Sequence, residues 1–347
     1  MGAICQLSPM SSSVSAAELA GTASLYVQQL DADREALFLV RLEPSQYRTA
    51  SFLDNRILDD AVAIGWVPYA PIEAVAQQIN PLPLHFIFHA GHVGSTLLSR
   101  LLDEVPGILG LREPLPLRRL AELHDRKRDD AQFRNLLATM LRLWGRGFDE
   151  SEMVILKATS NAGRIAPEVL LACPDARAIY LNLEPEPYIA TLMAGNNTRN
   201  DLEGMTFERI ARLRRILGVV VDATGPLSLG EGAAVAWLSE RFAQQQAARL
   251  GPRVMSLDFD NWLSDIEGGL RRVLAHLSLP VDLAAGLACS SVLTRYAKLP
   301  DDHPYSPMLR RQLLDQARHE QRDEIMRGLQ FLDALGSQHA AVAALLE

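Results

Sequence analysis

The segment FIFHAGHVGSTLLSRLL, residues 86–102, runs from a short apolar stretch through two glycines into a Ser-Thr pair that opens an amphipathic stretch. Gly91 and Gly94 permit a tight turn and a close approach of backbone to a ligand. Ser95 and Thr96 stand where a helix would begin. There the N–H groups point outward with the positive end of the helix dipole, and both hydroxyls can donate to phosphate oxygens. This pattern suits a phosphorylated nucleotide, held by Gly91, Val93, Gly94, Ser95, Thr96 and Leu97. The spacing is not that of a Walker loop, because Ser95 follows Gly94 where Lys would stand and His89 occupies the position of the first glycine. A glycine-containing turn without a ligand is the plain alternative.

Other residues carry reactive groups near the ends of apolar runs. Glu113 can take a proton from an acceptor hydroxyl, or it can serve as an acidic charge at a helix start, with Pro114 at the first helical position. Lys157 ends the run MVILK, on the side where doubly wound sheets bind ligands, and can contact an anion. His92, inside the loop, can stabilise developing negative charge when protonated, or be a structural loop residue. His89 and His92 lack a third ligand in the spacing, so no metal site is expected. Asp258 and Asp260 follow another strand-like run; one could hold magnesium, and Asp260 could cap the next helix. The segment TRYAKLPDDHPYSPMLRR, residues 294–311, is basic and aromatic, with Arg295, Lys298 and Tyr305 available to phosphates or a base. It could equally be a surface connection.

Several of these segments, in order, resemble the P-loop sulfotransferase family. Gly94, Ser95 and Thr96 match the Gly-Thr-Thr end of that family's 5′-phosphosulfate loop, and His92 falls at its basic position. LGLREPLPLRRLAEL (109–123) resembles the segment with a catalytic Glu, matched by Glu113, and VILKATS (154–160) the strand ending in Lys, matched by Lys157. PDARAIYLNLEPEPYIATLM (174–193) and VMSLDFDNWLSDIEGGLRRVLAHLSLP (254–280) resemble two later segments, so the resemblance spans roughly residues 84–280. It implies 3′-phosphoadenosine 5′-phosphosulfate (PAPS) as sulfuryl donor, 3′,5′-adenosine bisphosphate (PAP) as product, catalysis by Glu113, His92 and Lys157, and no metal. The family's 3′-phosphate site departs here. Its Arg is replaced by Leu183, while Thr191 stands for its Ser and can supply the hydroxyl. Loss of a charge-assisted hydrogen bond of about 1.5–3 kcal/mol weakens binding by roughly one to two orders of magnitude. Arg199 is a candidate substitute cation, or a solvated loop charge.

The elements that must position these residues read as follows. Residues 24–29 and 36–41 form a hairpin around Asp31-Ala32-Asp33, and 46–60 and 71–79 are helical, the latter with Pro71 at its first position. Beyond Pro81 and Pro83, strands at 85–90, 153–157, 177–183 and 253–258 alternate with helices at 95–104, 128–145, 163–172, 205–217, 231–250, 260–278 and from 306. The expected fold is α/β: a P-loop NTPase-like three-layer sandwich with a mostly parallel sheet over residues 81–347, plus a small N-terminal α+β appendage over 1–80.

The 347 residues are 48% hydrophobic and 22% charged, which argues against global disorder. A net charge of −8 disfavours a general nucleic-acid binder. Cys5, Cys173 and Cys289 suggest neither a disulfide framework nor a metal motif, and no apolar run spans a membrane, so a cytoplasmic protein is expected. Three functions stay open: sulfuryl transfer from PAPS to a hydroxyl or amine of a small molecule or peptide; an ATP- or GTP-dependent kinase with Asp258 or Asp260 on magnesium; and a nucleotide-binding module that has lost catalysis.

Overall fold

A computed structural model describes residues 15–59, 61–126, 131–195, 198–218, 227–295 and 305–347, with the side chains of 198–201 and 203 left aside. Eight strands occur among them: β1 (Leu25–Asp31), β2 (Ala36–Arg41), β3 (Val62–Pro68), β4 (Leu84–His89), β5 (Ile108–Arg112), β6 (Met153–Lys157), β7 (Ala178–Asn182) and β8 (Val254–Asp258). They form a three-stranded sheet in the order β1-β2-β3 and a five-stranded sheet in the order β5-β6-β4-β7-β8. The small sheet is antiparallel, while β5 pairs parallel with β6, and β7 with β8. Helices connect the strands of the larger sheet, so the fold is α/β, with a P-loop-like strand–loop–helix at β4 and an N-terminal antiparallel sheet.

The chain divides into two compact units. The first holds residues 1–86, 102–159 and 171–176; the second holds 87–101, 160–170 and 177–347. Within the first, the Asp31 carboxylate accepts from the N–H groups of Asp33 (3.1 Å) and Arg34 (3.0 Å), closing the β1–β2 turn. Two strands escape the hydrophobic pattern, β3 and β5. β3 is half-exposed along its length and carries Gly65 at φ +115°. β5 carries Gly110, where a Cβ would sit 2.0 Å from Asp103 Oδ1; glycine admits the carboxylate and dilutes the strand signal.

The helix expected over 46–60 is shorter, ending as Pro44–Thr49, with a 3₁₀ turn at Asn55–Asp59. The reason is Arg112, which is fully buried. Its guanidinium pairs with Asp103 and donates to the carbonyls of Tyr47, Arg48 (2.9 Å) and Ala50 (2.7 Å). Those carbonyls would otherwise serve the next helical turn. Leu53 N–H donates to the Arg112 carbonyl at 2.6 Å, so the segment after the helix is tied to the end of β5.

In the second unit, β7 is buried at every position, and the helix Leu229–Ala248 opens with a capping box between Ser228 and Glu231. The helix Pro307–Glu320 is pinned to the helix Pro185–Met193 by Arg318, whose Nε and Nη2 donate to Glu186 at 2.8 and 2.9 Å. No helix among the described residues is long and apolar enough to cross a membrane.

Candidate functional site

β4 is buried at all six positions and delivers the chain into a loop of unusual backbone. Gly91, His92 and Gly94 have φ of +87°, +56° and +73°. His92, the non-glycine of the three, is exposed. A left-handed residue without glycine stores strain, and such strain gathers at ligand sites. The loop is braced from below. The Gly91 N–H donates to His89 Nδ1 at 3.0 Å, Ala90 N–H to the Leu181 carbonyl at 3.0 Å, and the Tyr188 hydroxyl to the Ala90 carbonyl at 2.8 Å.

The helix Ser95–Leu102 begins directly at the loop. Its first N–H groups have no intrahelical acceptor. Ser95 and Thr96 are 5% and 3% exposed, and the Thr96 hydroxyl makes no hydrogen bond among the described residues. A buried hydroxyl in that state is uncommon and calls for a partner. Val93 and Leu97 are buried.

Phe259 closes the loop on one side. A Cβ on Gly94 would lie 2.1 Å from Phe259 Cε2, and Gly94 is in the left-handed region as well. Gly94→Ala is therefore expected to destabilise the fold by about 2–4 kcal/mol, the sum of overpacking and backbone strain. A urea midpoint within experimental error of wild type would show that Phe259 swings away freely.

Beside Phe259 lies a cation that the sequence reading did not single out. Arg310, on the helix Pro307–Glu320, stacks over the Phe259 ring with its Cζ 4.9 Å from the centroid. Its Nη1 is 2.6 Å from Asp260 Oδ1, and its Nη2 is 3.4 Å from the Thr191 hydroxyl. Burial pushes the Asp260 carboxyl up from its ordinary value, against the pull of Arg310. Asp258, not Asp260, caps the following helix, its carboxylate accepting from Asn261 N–H at 2.8 Å. Leu183 is fully buried, and its carbonyl accepts from Trp237 Nε1 at 2.8 Å. Arg199 falls in the helix Thr198–Leu217 with its side chain outside the described residues, and Lys298 lies outside them altogether. Arg295 is exposed and makes no ion pair among the described residues. Tyr305 N–H donates to the Thr294 carbonyl at 3.0 Å.

In the other unit, Glu113 directly follows β5, and Lys157 is the last residue of its parallel partner β6. The two side chains form an ion pair, with Lys157 1% and Glu113 21% exposed. The Glu113 N–H also donates to the Lys157 carbonyl at 2.7 Å. Glu113 has φ +55°, and the helix starts at Leu115, so Pro114 precedes it rather than opening it. Phe52 completes the cluster, its ring centroid 5.4 Å from Lys157 Nζ and 3.8 Å from Arg56 Cζ. No group of three or more metal-ligating side chains occurs among the described residues.

The sequence matches no family model, and no curated protein matches it. Solved structures similar to this chain include sulfotransferase STF9 from Mycobacterium avium, at 12% identity and TM-score 0.41 over 72% of this chain and 80% of that one. A sulfotransferase from Alicyclobacillus acidocaldarius is similar at 16% identity and TM-score 0.39, over 71% of this chain and 94% of that one. A mouse sulfotransferase, SULT7A1, solved in complex with PAP, is similar at 11% identity and TM-score 0.34, over 71% of this chain and 88% of that one.

Proposed function

We propose that the chain is a sulfotransferase-like enzyme that moves a sulfuryl group from PAPS to a hydroxyl or amine of a small molecule or peptide. The observation that carries the reading is the buried Thr96 hydroxyl, without a hydrogen-bond partner among the described residues, in the first turn of a helix that follows a strained glycine loop. That is the arrangement an oxyanion needs. The nature of the donor rests on the ordered motifs of the sequence.

In this reading the amides from Gly91 to Leu97 and the hydroxyls of Ser95 and Thr96 hold the 5′-phosphosulfate. Glu113 accepts the proton of the attacking hydroxyl as its oxygen bonds to sulfur and the bridging S–O bond to PAP breaks. Lys157 orients the Glu113 carboxylate through their ion pair. Its buried ammonium also contributes positive charge toward the transferring group. His92 adds charge when protonated. Thr191 and Arg310 take the 3′-phosphate, Arg310 supplying the cation that Leu183 does not. The kinase reading loses support because both carboxylates it needs are engaged, Asp258 as a helix cap and Asp260 with Arg310.

The test is a thermal-shift titration with PAP, ADP and ATP, each with and without magnesium. At ~100 times Kd a ligand that binds only the folded state adds about 2.7 kcal/mol, which is readily seen. A magnesium-independent shift selective for PAP is expected. A magnesium-dependent preference for ATP would transfer the reading to a kinase. Arg310→Ala is expected to weaken PAP by roughly 10- to 100-fold, as for a lost charge-assisted hydrogen bond, with a much smaller effect on 5′-AMP. Equal losses for the two nucleotides would remove Arg310 from the 3′-phosphate.

A further inference from the structure

A carboxylate already holds the guanidinium that the reading above gives to the 3′-phosphate. Arg310 Nη1 lies 2.6 Å from Asp260 Oδ1, while Nη2 reaches the Thr191 hydroxyl at 3.4 Å. The Phe259 ring lies against the same guanidinium, its centroid 4.9 Å from Cζ. All four residues belong to the second compact unit. The Arg310 side chain is 12% exposed and that of Asp260 39%, so the carboxylate is the more open of the pair.

Asp260 stands in the first turn of the helix Phe259–Ser264. Asp258, the last residue of β8, sets a second negative charge near it, and Arg318, on the same helix as Arg310, a second positive one. Arg318 is itself paired with Glu186 at 2.8 Å and with Asp315 at 3.0 Å. Burial raises the Asp260 carboxyl above its ordinary value; Arg310 opposes this and Asp258 adds to it. A phosphate dianion on Arg310 would bring further negative charge beside that carboxylate. The two anions would then share one guanidinium and repel each other, the more strongly for being partly withdrawn from water. A proton on the carboxylate removes the repulsion.

We propose that Asp260 is a specificity-determining residue for the donor: it competes with the 3′-phosphate for Arg310 and takes up a proton from solvent as that phosphate binds. The proposal rests on the reading of Arg310 as the 3′-phosphate cation. A nucleotide without a 3′-phosphate meets a neutral Arg310–Asp260 pair and gains nothing from it, whereas a dianion displaces the carboxylate. The sign of the pH dependence follows. The phosphate holds the Asp260 carboxyl higher in the complex than in the free protein. Between those two values binding takes up a proton, so affinity for the 3′-phosphate rises as pH falls through that range. Above both values the carboxylate competes in full.

The experiment titrates PAP, and separately 5′-AMP, into wild type, Asp260→Asn and Arg310→Ala by calorimetry, between about pH 5 and pH 8, the range over which a raised carboxyl changes charge. Asparagine keeps the size of the side chain and an oxygen for Arg310 but carries no charge. Asp260→Asn is expected to bind PAP roughly 10-fold more tightly than wild type at the alkaline end, as for a like charge removed from a few ångströms away. The difference is expected to narrow as pH falls, because Asp260 in wild type then becomes neutral as well. Protonation of the phosphate itself cancels in the ratio of the two proteins. 5′-AMP is expected to bind both alike. Asp260→Ser removes the same charge and gives the same reading if the asparagine variant does not fold. PAP bound equally by wild type and Asp260→Asn at every pH, yet weakened by Arg310→Ala, would overturn the role of Asp260 and leave Arg310 on the phosphate. Weaker PAP binding in Asp260→Asn would overturn it too, by making Asp260 a support for Arg310, as would a tightening shared by 5′-AMP. A wild-type protein that ignores PAP would refute the donor and the proposal with it.

Discussion

A Glu113→Gln protein is expected to bind PAP with wild-type affinity and to turn over about two to four orders of magnitude more slowly, the usual contribution of a positioned general base. Glutamine keeps the size of the side chain and an oxygen for the Lys157 ammonium, with which Glu113 forms its ion pair. It cannot take the acceptor's proton. Both residues face the same backbone strain at φ +55°, so the substitution isolates the chemistry from the fold. Single-turnover sulfuryl transfer from labelled PAPS, measured beside a PAP titration, separates the two effects. Turnover equal to wild type would remove Glu113 as base, and a loss of PAP binding in parallel would make it a structural carboxylate.

The largest loss of stability is expected from Arg112→Met. Arg112 is fully buried, pairs with Asp103 and holds carbonyls of Tyr47, Arg48 and Ala50. Methionine fills much of the volume but leaves a carboxylate and several carbonyls without their donor. Breaking a buried pair from one side costs about 3–5 kcal/mol. Out of a total of roughly 5–15 kcal/mol, that is a large fraction. Equilibrium urea unfolding reads it directly. The double variant Arg112→Met with Asp103→Leu should recover part of the loss, because the stranded charge goes with its partner. A single variant within about 1 kcal/mol of wild type would mean that water replaces the guanidinium and that the segment 47–53 holds without it.

These outcomes bear on how much of the molecule could be read in advance. The apolar runs at β4, β6 and β7, each followed by a helical stretch, were legible because burial of a parallel strand writes a continuous apolar run. The strands β3 and β5 were not, since Gly65 takes a φ of +115° beside the register shift between β2 and β3, and Gly110 makes room for the Asp103 carboxylate. The helix expected over 46–60 breaks because a guanidinium more than sixty positions away takes its carbonyls, with separations of 62 to 65 residues. No local propensity contains that information.

The same division runs through the functional groups. By itself the sequence determined the loop: two glycines, a Ser-Thr pair and an apolar strand are neighbours in the chain, and their geometry follows from local sterics and the helix dipole. Glu113 and Lys157 were legible as separate strand-end residues. That they pair was decided by the parallel register that sets Arg112 opposite Lys157. Arg310 meets Thr191 across 119 residues, and Arg164 reaches Glu208 on the helix Thr198–Leu217. Charges so far apart in the chain leave no periodic trace. Only the packing of helices against the sheet brings them within reach, and burial then decides which of them must find a partner.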